Sequence, residues 1–275
     1  MAAQLPPADP GLIPPEVRSC IPGCESGMPP QAVYALPGGG RNLVLRVDTR
    51  LGRFVWRSRA APIDRPGSAA VTELHAQQAA AAAGLAPRVV AADARGQWLL
   101  MEFLELPVWS VADLQDAARL DALAEQLVRL HALPVPEELP VVDAAGIARG
   151  YLQQLAAQGA AAARPLSQCA DLVESLASEI AAHGAPPVLV HGDLVVANML
   201  GPAPVLVDWE YAQRADATWD LACLTAYYPQ LQLQLPRLLA HLNLQGAAQQ
   251  RLELQRRLFS VLNALWARLH GHNGG

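Results

Sequence analysis

The sequence contains no lysine: all 20 of its Lys-or-Arg residues are arginines. Wherever an ammonium would ordinarily grip an anion, a guanidinium must do so here, and its planar fork makes paired contacts with carboxylate or phosphate. Basic charge is also outnumbered, 20 residues against 25 acidic ones, for a net charge of −5. That balance argues against a sequence-independent nucleic-acid binder, which needs a basic face to displace counterions from phosphates. Cysteine is scarce, with only Cys20, Cys24, Cys169 and Cys223. So few exclude a disulfide framework, and no second Cys or His pair completes a zinc site around Cys20 and Cys24. No apolar run approaches the roughly 18–20 residues that span a bilayer. The N-terminus lacks the basic and apolar regions of a secretory leader. We therefore expect a cytoplasmic protein with neither a membrane nor a nucleic-acid partner.

What is present is enough apolar material, 52% of 275 residues, for a sizeable core. Prolines crowd residues 1–30, at positions 6, 7, 10, 14, 15, 22, 29 and 30, and read as a loose arm with one short helix near Glu16–Cys20. Short β-type runs follow at 31–36, 43–48 and 53–58. A glycine-rich turn, Gly38-Gly39-Gly40-Arg41-Asn42, separates the first two, and Thr49-Arg50-Leu51-Gly52 suggests a hairpin between the next two. An alanine-rich helix over 69–83 should close at Gly84, since Pro87 forbids its continuation. Two further strands are expected at 88–92 and 97–103.

From Asp116 the texture changes. Leu120, Leu123, Leu127 and Leu130 recur at helical spacing, predicting an amphipathic helix that ends near His131. Helices are also expected over about 144–160, 167–183 and 216–228, with two more at the C-terminus. Val188–Val190 and Val205–Val207 read as short buried strands. Leu231–Leu235 alternates Leu and Gln but, flanked by helical patterns and stopped by Pro236, reads as helix or loop. The expected class is α+β, with an arm over 1–30, a small β-rich lobe over 31–104 and a larger helical lobe over 105–275.

Two polar clusters interrupt apolar surroundings: His191-Gly192-Asp193-Leu194-Val195-Val196-Ala197-Asn198, and Val205-Leu206-Val207-Asp208-Trp209-Glu210. Two acids at the ends of buried strands, with an Asn nearby, offer the hard oxygens that Mg²⁺ accepts beside substrate phosphates. HGDLVVANML, VLVDWEYA and WDLA together resemble the aminoglycoside phosphotransferase and choline kinase group of the protein-kinase-like fold, closest in motif to choline and thiamine kinases. The H-x-D-x4-N spacing is shared with protein kinases. The resemblance spans about Ala35 to Tyr228.

It implies a two-lobed kinase that uses ATP and Mg²⁺ to phosphorylate a small-molecule hydroxyl. Asp193 would take the proton of, or orient, the attacking hydroxyl, and Asn198 and Asp208 would hold the metal. On the nucleotide side, Gly38, Gly39 and Asn42 match a phosphate-approaching turn. Arg57 stands where protein kinases carry a lysine, with Arg59 its nearby rival, and Glu73 would pair with that cation. Glu102, Phe103 and Leu104 occupy the hinge that would receive adenine through its backbone. His191 and Asp220 would support the catalytic loop, and His131 reads as a hydrogen-bonded core histidine.

For the acceptor, Glu210 is expected to face a cationic substrate or the metal. Trp209 and Tyr211 are candidate faces for a cation. Choline, ethanolamine or thiamine is the favoured alcohol. A kinase for an aminoglycoside or amino sugar and a nucleotide-binding pseudokinase are the alternatives. No protein partner is implied.

Overall fold

Alternating apolar positions build the first sheet. In the computed structural model, which describes residues 5–37, 42–59, 70–158 and 163–270, strands β1 (Ala32–Ala35), β2 (Asn42–Thr49), β3 (Gly52–Arg59), β4 (Val89–Ala92) and β5 (Trp98–Glu102) form one antiparallel sheet in the order β1-β2-β3-β5-β4. Leu45 and Val47 of β2 and Phe54 and Trp56 of β3 bury one face. Because successive side chains alternate faces, Arg57 and Arg59 lie together on the opposite face of β3.

The arm is not loose. Helix α1 (Pro15–Arg18) and the turns around it bury Ile13, Val17, Ile21 and Cys24 in the same small core as the sheet. Residues 6–8 run along the outer strand: the Ala8 amide donates to Val33 O at 2.9 Å and the Ala35 amide to Pro6 O at 3.0 Å. The prolines restrict this segment without preventing it from packing, and its pairing covers an otherwise open sheet edge.

Helix α2 (Ala70–Ala82) ends in a Schellman turn. The Leu85 amide reaches Ala80 O at 2.9 Å and the Gly84 amide Ala81 O at 3.0 Å, with Gly84 at φ 72°. Beyond the hinge come α3 (Ala117–His131), α4 (Ala144–Ala157), α5 (Ala163–Ala182), α6 (Thr218–Tyr227), α7 (Leu235–His241) and α8 (Ala247–Leu269). Asp116 caps α3 by accepting from the Ala118 amide at 2.8 Å. The long α8 packs against α4, α5 and α6.

Two small sheets carry the loops between helices: β6 (Val188–Val190) pairs with β9 (Gln213–Ala215), and β7 (Met199–Leu200) with β8 (Val205–Leu206). The Leu206 amide donates to Leu85 O at 2.8 Å, tying β8 to the end of α2. The run around Leu231 is a short 3₁₀ turn, Pro229–Leu233. Pro236 does not stop it; Pro236 lies in the first turn of α7, where its fixed φ and missing N–H suit a helix start. No helix among the described residues is long and apolar enough to cross a membrane.

Candidate active site

The loop after β6 is held from below by a buried acid. Asp220, in the first turn of α6, is 0% exposed. Its Oδ1 accepts the Gly192 amide at 2.9 Å, while Oδ2 accepts the His191 amide at 3.2 Å and lies 3.0 Å from His131 Nε2. A carboxylate buried this deeply needs such donors to offset its lost hydration. The hydrogen-bonded core histidine expected at 131 is thus Asp220's partner.

His191 ties this loop to the next. Its Nδ1 accepts the Asp193 amide at 3.3 Å, so Nε2 carries the proton and donates to Val207 O at 3.0 Å. The Leu194 amide reaches Cys223 Sγ at 3.2 Å, the Val195 amide Asp193 O at 2.9 Å, and the Val196 amide Tyr228 Oη at 2.9 Å. Every backbone amide from 191 through 196 is therefore bonded. A loop bonded this fully holds Asp193 in one place, the condition under which positioned groups accelerate a reaction.

Gly192 allows that path. It sits at φ 78°, and a Cβ there would lie 2.5 Å from Tyr211 O, a backbone atom that cannot swing aside. Gly192→Ala is expected to cost about 3 kcal/mol of stability, from left-handed strain plus the clash. Denaturant unfolding checks this, and a variant as stable as the parent would show that the loop relaxes freely.

Asp193, Asn198 and Asp208 come together through the β7–β8 hairpin. Asn198 Nδ2 donates to Asp193 O and to Asp193 Oδ2, both at 3.0 Å. The Val207 amide donates to Asn198 O at 3.0 Å, which brings Asp208 beside Asn198. Asp208 has a left-handed backbone, φ 66°, rare for a non-glycine residue and frequent where function constrains the chain.

Across the cleft an ion network meets Asp208. Arg57 Nη1 donates to Asp208 Oδ1 at 2.6 Å, and its Nη2 pairs with Glu73. Arg59 pairs with the other oxygen of Glu73, and its Nη1 lies 3.6 Å from Glu210 Oε2. Burial opposes the charge on Arg57, but Glu73, Asp208 and Glu210 more than offset it and raise its pKa. Burial pushes the Glu210 carboxyl up to about 7, with the Asp208 charge adding to the rise.

A raised carboxyl pKa has a definite sign. The folded state keeps a proton that the unfolded chain releases, so stability falls as pH climbs from the ordinary value of 4.5 toward about 7. In metal-free protein kept in chelator, Glu210→Gln is expected to gain about 2 kcal/mol over the parent at pH 8 and nothing at pH 4. Thermal melts across that range check it, and a difference that does not change with pH would sink it.

Other expected residues divide. Gly38 and Gly39 lie outside the described residues, while Asn42 opens β2 directly opposite Arg59. At the hinge the Glu102 amide donates to Arg88 O at 3.0 Å and the Phe103 amide to Arg53 O at 2.9 Å. The Glu102 side chain faces Arg88 rather than the cleft.

Trp209 is a correction: it is 0% exposed, donates Nε1 to Leu206 O at 3.0 Å and packs edge-on against His191 at 4.7 Å. Its full burial within the apolar cluster makes it core, not a surface for a substrate cation. Tyr211 remains half-buried at the loop. Tyr227 stands near Asp193. Burial raises its pKa, and the charge of Asp193 adds to the effect. Tyr228 and Cys223 hold the loop, and Cys223 carried no signal in sequence beyond its place on the helix containing Asp220.

Known proteins share this architecture. A family model described as phosphotransferase enzyme family matches residues 33–254. Comparison with curated protein sequences finds no match. Among solved structures, a choline/ethanolamine kinase family protein from Mesorhizobium loti superposes with a TM-score of 0.72 at 22% identity, covering 94% of this chain and 85% of that one. A choline kinase from Streptococcus pneumoniae gives 0.71 at 18% identity, covering 92% and 89%. A spectinomycin phosphotransferase, solved with ADP and spectinomycin, gives 0.63 at 13% identity, covering 100% and 91%. The fold is the two-lobed, protein-kinase-like α+β fold that the motifs implied. With the family model matching most of its length, this chain belongs to the phosphotransferase enzyme family.

Proposed function

We propose that this enzyme transfers the terminal phosphoryl group of ATP to the hydroxyl of a small cationic alcohol of the choline, ethanolamine or thiamine type. The observation that carries the transfer is the fixed Asp193, on a loop whose amides from 191 through 196 are bonded, with its carboxylate pinned by Asn198 at 3.0 Å. In this reading residues 31–104 hold the nucleotide and 105–275 supply the catalytic and acceptor side, with no protein partner needed. Use of an adenine nucleotide is supported by relatives solved with AMP and with ADP.

Asp193 accepts the proton of the alcohol as its oxygen bonds to the terminal phosphorus, and the bond from that phosphorus to the bridging oxygen breaks, releasing ADP. Arg57 turns its guanidinium to the phosphates, the place a lysine would otherwise fill. Because the Asn198 amide nitrogen is committed to Asp193, its oxygen is the atom offered to a cation, beside the Asp208 carboxylate. No three His, Cys, Asp or Glu side chains cluster for a metal among the described residues. One carboxylate and one amide oxygen are enough for Mg²⁺, which takes one or two protein oxygens and completes its shell with phosphates and water. Bound there, Mg²⁺ would neutralise charge on the phosphates. With the Glu102 and Phe103 amides already bonded, adenine falls to the Leu104 backbone.

The acceptor class rests on the aromatic surroundings of Asp193, namely Tyr211, Tyr227 and Tyr228, because ring faces favour cations. Glu210 adds a carboxylate at the edge of the same region. The names of the choline and ethanolamine kinase relatives agree with this choice. An amino-sugar acceptor is the second reading, favoured by the likeness to the spectinomycin phosphotransferase. A nucleotide-binding pseudokinase is disfavoured by the retention of Asp193, Asn198 and Asp208. The test is ATP consumption with a panel of choline, ethanolamine, thiamine and aminoglycosides. Turnover of the aminoglycosides alone would overturn the acceptor class, and binding of ATP with no turnover of any alcohol would overturn the transfer.

A further inference from the structure

Arg59 belongs to the ion network but has no part in the transfer just described. Strand periodicity puts Arg57 and Arg59 on one face of β3, and each takes one oxygen of Glu73. From there the two guanidiniums form parallel bridges to the turn after β8: Arg57 to Asp208 Oδ1 at 2.6 Å, Arg59 to Glu210 Oε2 at 3.6 Å. The Arg59 side chain is 5% exposed, so its charge is not shared with bulk water. With all five groups ionised the cluster carries a net charge of −1. Removing Arg59 makes it −2 and leaves three carboxylates bearing on Arg57 alone. A guanidinium held by three carboxylates in a poorly hydrated cleft would surrender little of its charge to a phosphate.

We propose that Arg59 is a positioning residue: it draws Glu210 away from Arg57, so that Arg57 can exchange Asp208 for a nucleotide phosphate. The role rests on Arg57 being the phosphate-gripping cation. It differs from a direct grip by Arg59, because it is exerted through Glu210 and disappears when Glu210 is neutral.

A double-mutant cycle on the full chain reads that difference. The probe is the magnesium complex of a non-hydrolysable ATP analogue, its binding measured by calorimetry for the parent, Arg59→Gln, Glu210→Gln, the double variant and Arg57→Gln. Arg59→Gln is expected to weaken binding about tenfold in the parent and less than about threefold in the Glu210→Gln background, the non-additivity of residues sharing a network. Comparison within one background removes any contribution Glu210 itself makes to metal or nucleotide. A loss greater than threefold in the Glu210→Gln background, or no loss in the parent, overturns the proposal. Should Arg59→Gln alone fail to show a cooperative melt, the double variant, whose cluster again carries a net −1, decides by the same threefold criterion against Glu210→Gln. If Arg57→Gln binds like the parent, the assignment of Arg57 fails. If Arg57→Gln is weakened and Arg59→Gln is not, only the role of Arg59 fails.

Discussion

Asp193→Asn should fold like the parent, bind Mg·ATP with unchanged affinity, and turn over its alcohol about 10³-fold more slowly, the scale of a lost general base. The substitution keeps the shape of the side chain. Much of what places residue 193 is main chain: its amide bonds His191 Nδ1 at 3.3 Å, and its carbonyl takes both the Val195 amide and the Asn198 side chain. What disappears is the charge that accepts a proton. Steady-state turnover, with melting and ATP binding measured on the same preparation, checks the expectation. A variant keeping more than a tenth of parental turnover would remove Asp193 from the chemistry.

Asp220→Ala should show the opposite pattern, with stability lost first. Its carboxylate receives two buried amides and lies against His131 Nε2, so truncation leaves three polar groups without their partner. A broken buried ionic arrangement of this kind costs about 3–5 kcal/mol. At this chain length that corresponds to a fall in Tm of about 10 °C. Activity should fall too, because the amides of His191 and Gly192 lead directly into Asp193. Thermal melting separates the two acids: a drop of less than a few degrees for Asp220→Ala would mean the loop stands without it.

Much of this was legible in sequence, for identifiable reasons. The helix ending at Gly84 was readable because its αL cap and the nearby Pro87 act locally, and the Schellman bonds follow from them. The pairing of Asp193 with Asn198 is also local, within a single loop. What escaped depends on distant partners. Trp209 stands beside two acids in sequence, and only its own packing against His191, in the turn after β8, sends it inward. Arg57 and Arg59 looked like rivals for one position, but two residues apart on a strand they share a face, and Glu73 has an oxygen for each. Pro236 read as a stop, because proline ends one helix and begins another with equal ease. In the arm, Ile13, Val17 and Ile21 recur every fourth residue, a sign of a buried face that the surrounding prolines obscured.

That arm bears on where the sheet-bearing lobe begins. The family match starts at residue 33, yet Ile13, Val17, Ile21 and Cys24 are four of the ten buried apolar residues beneath the sheet. Trimmed to the residues that the family model matches, the sheet would lose the floor it rests on and bare the outer side of β1. The strand that carries Arg57 and Arg59 is therefore supported by a stretch that the family model does not match, so sequence change around residues 13–24 reaches the ion network of Arg57, Glu73 and Asp208 without touching it.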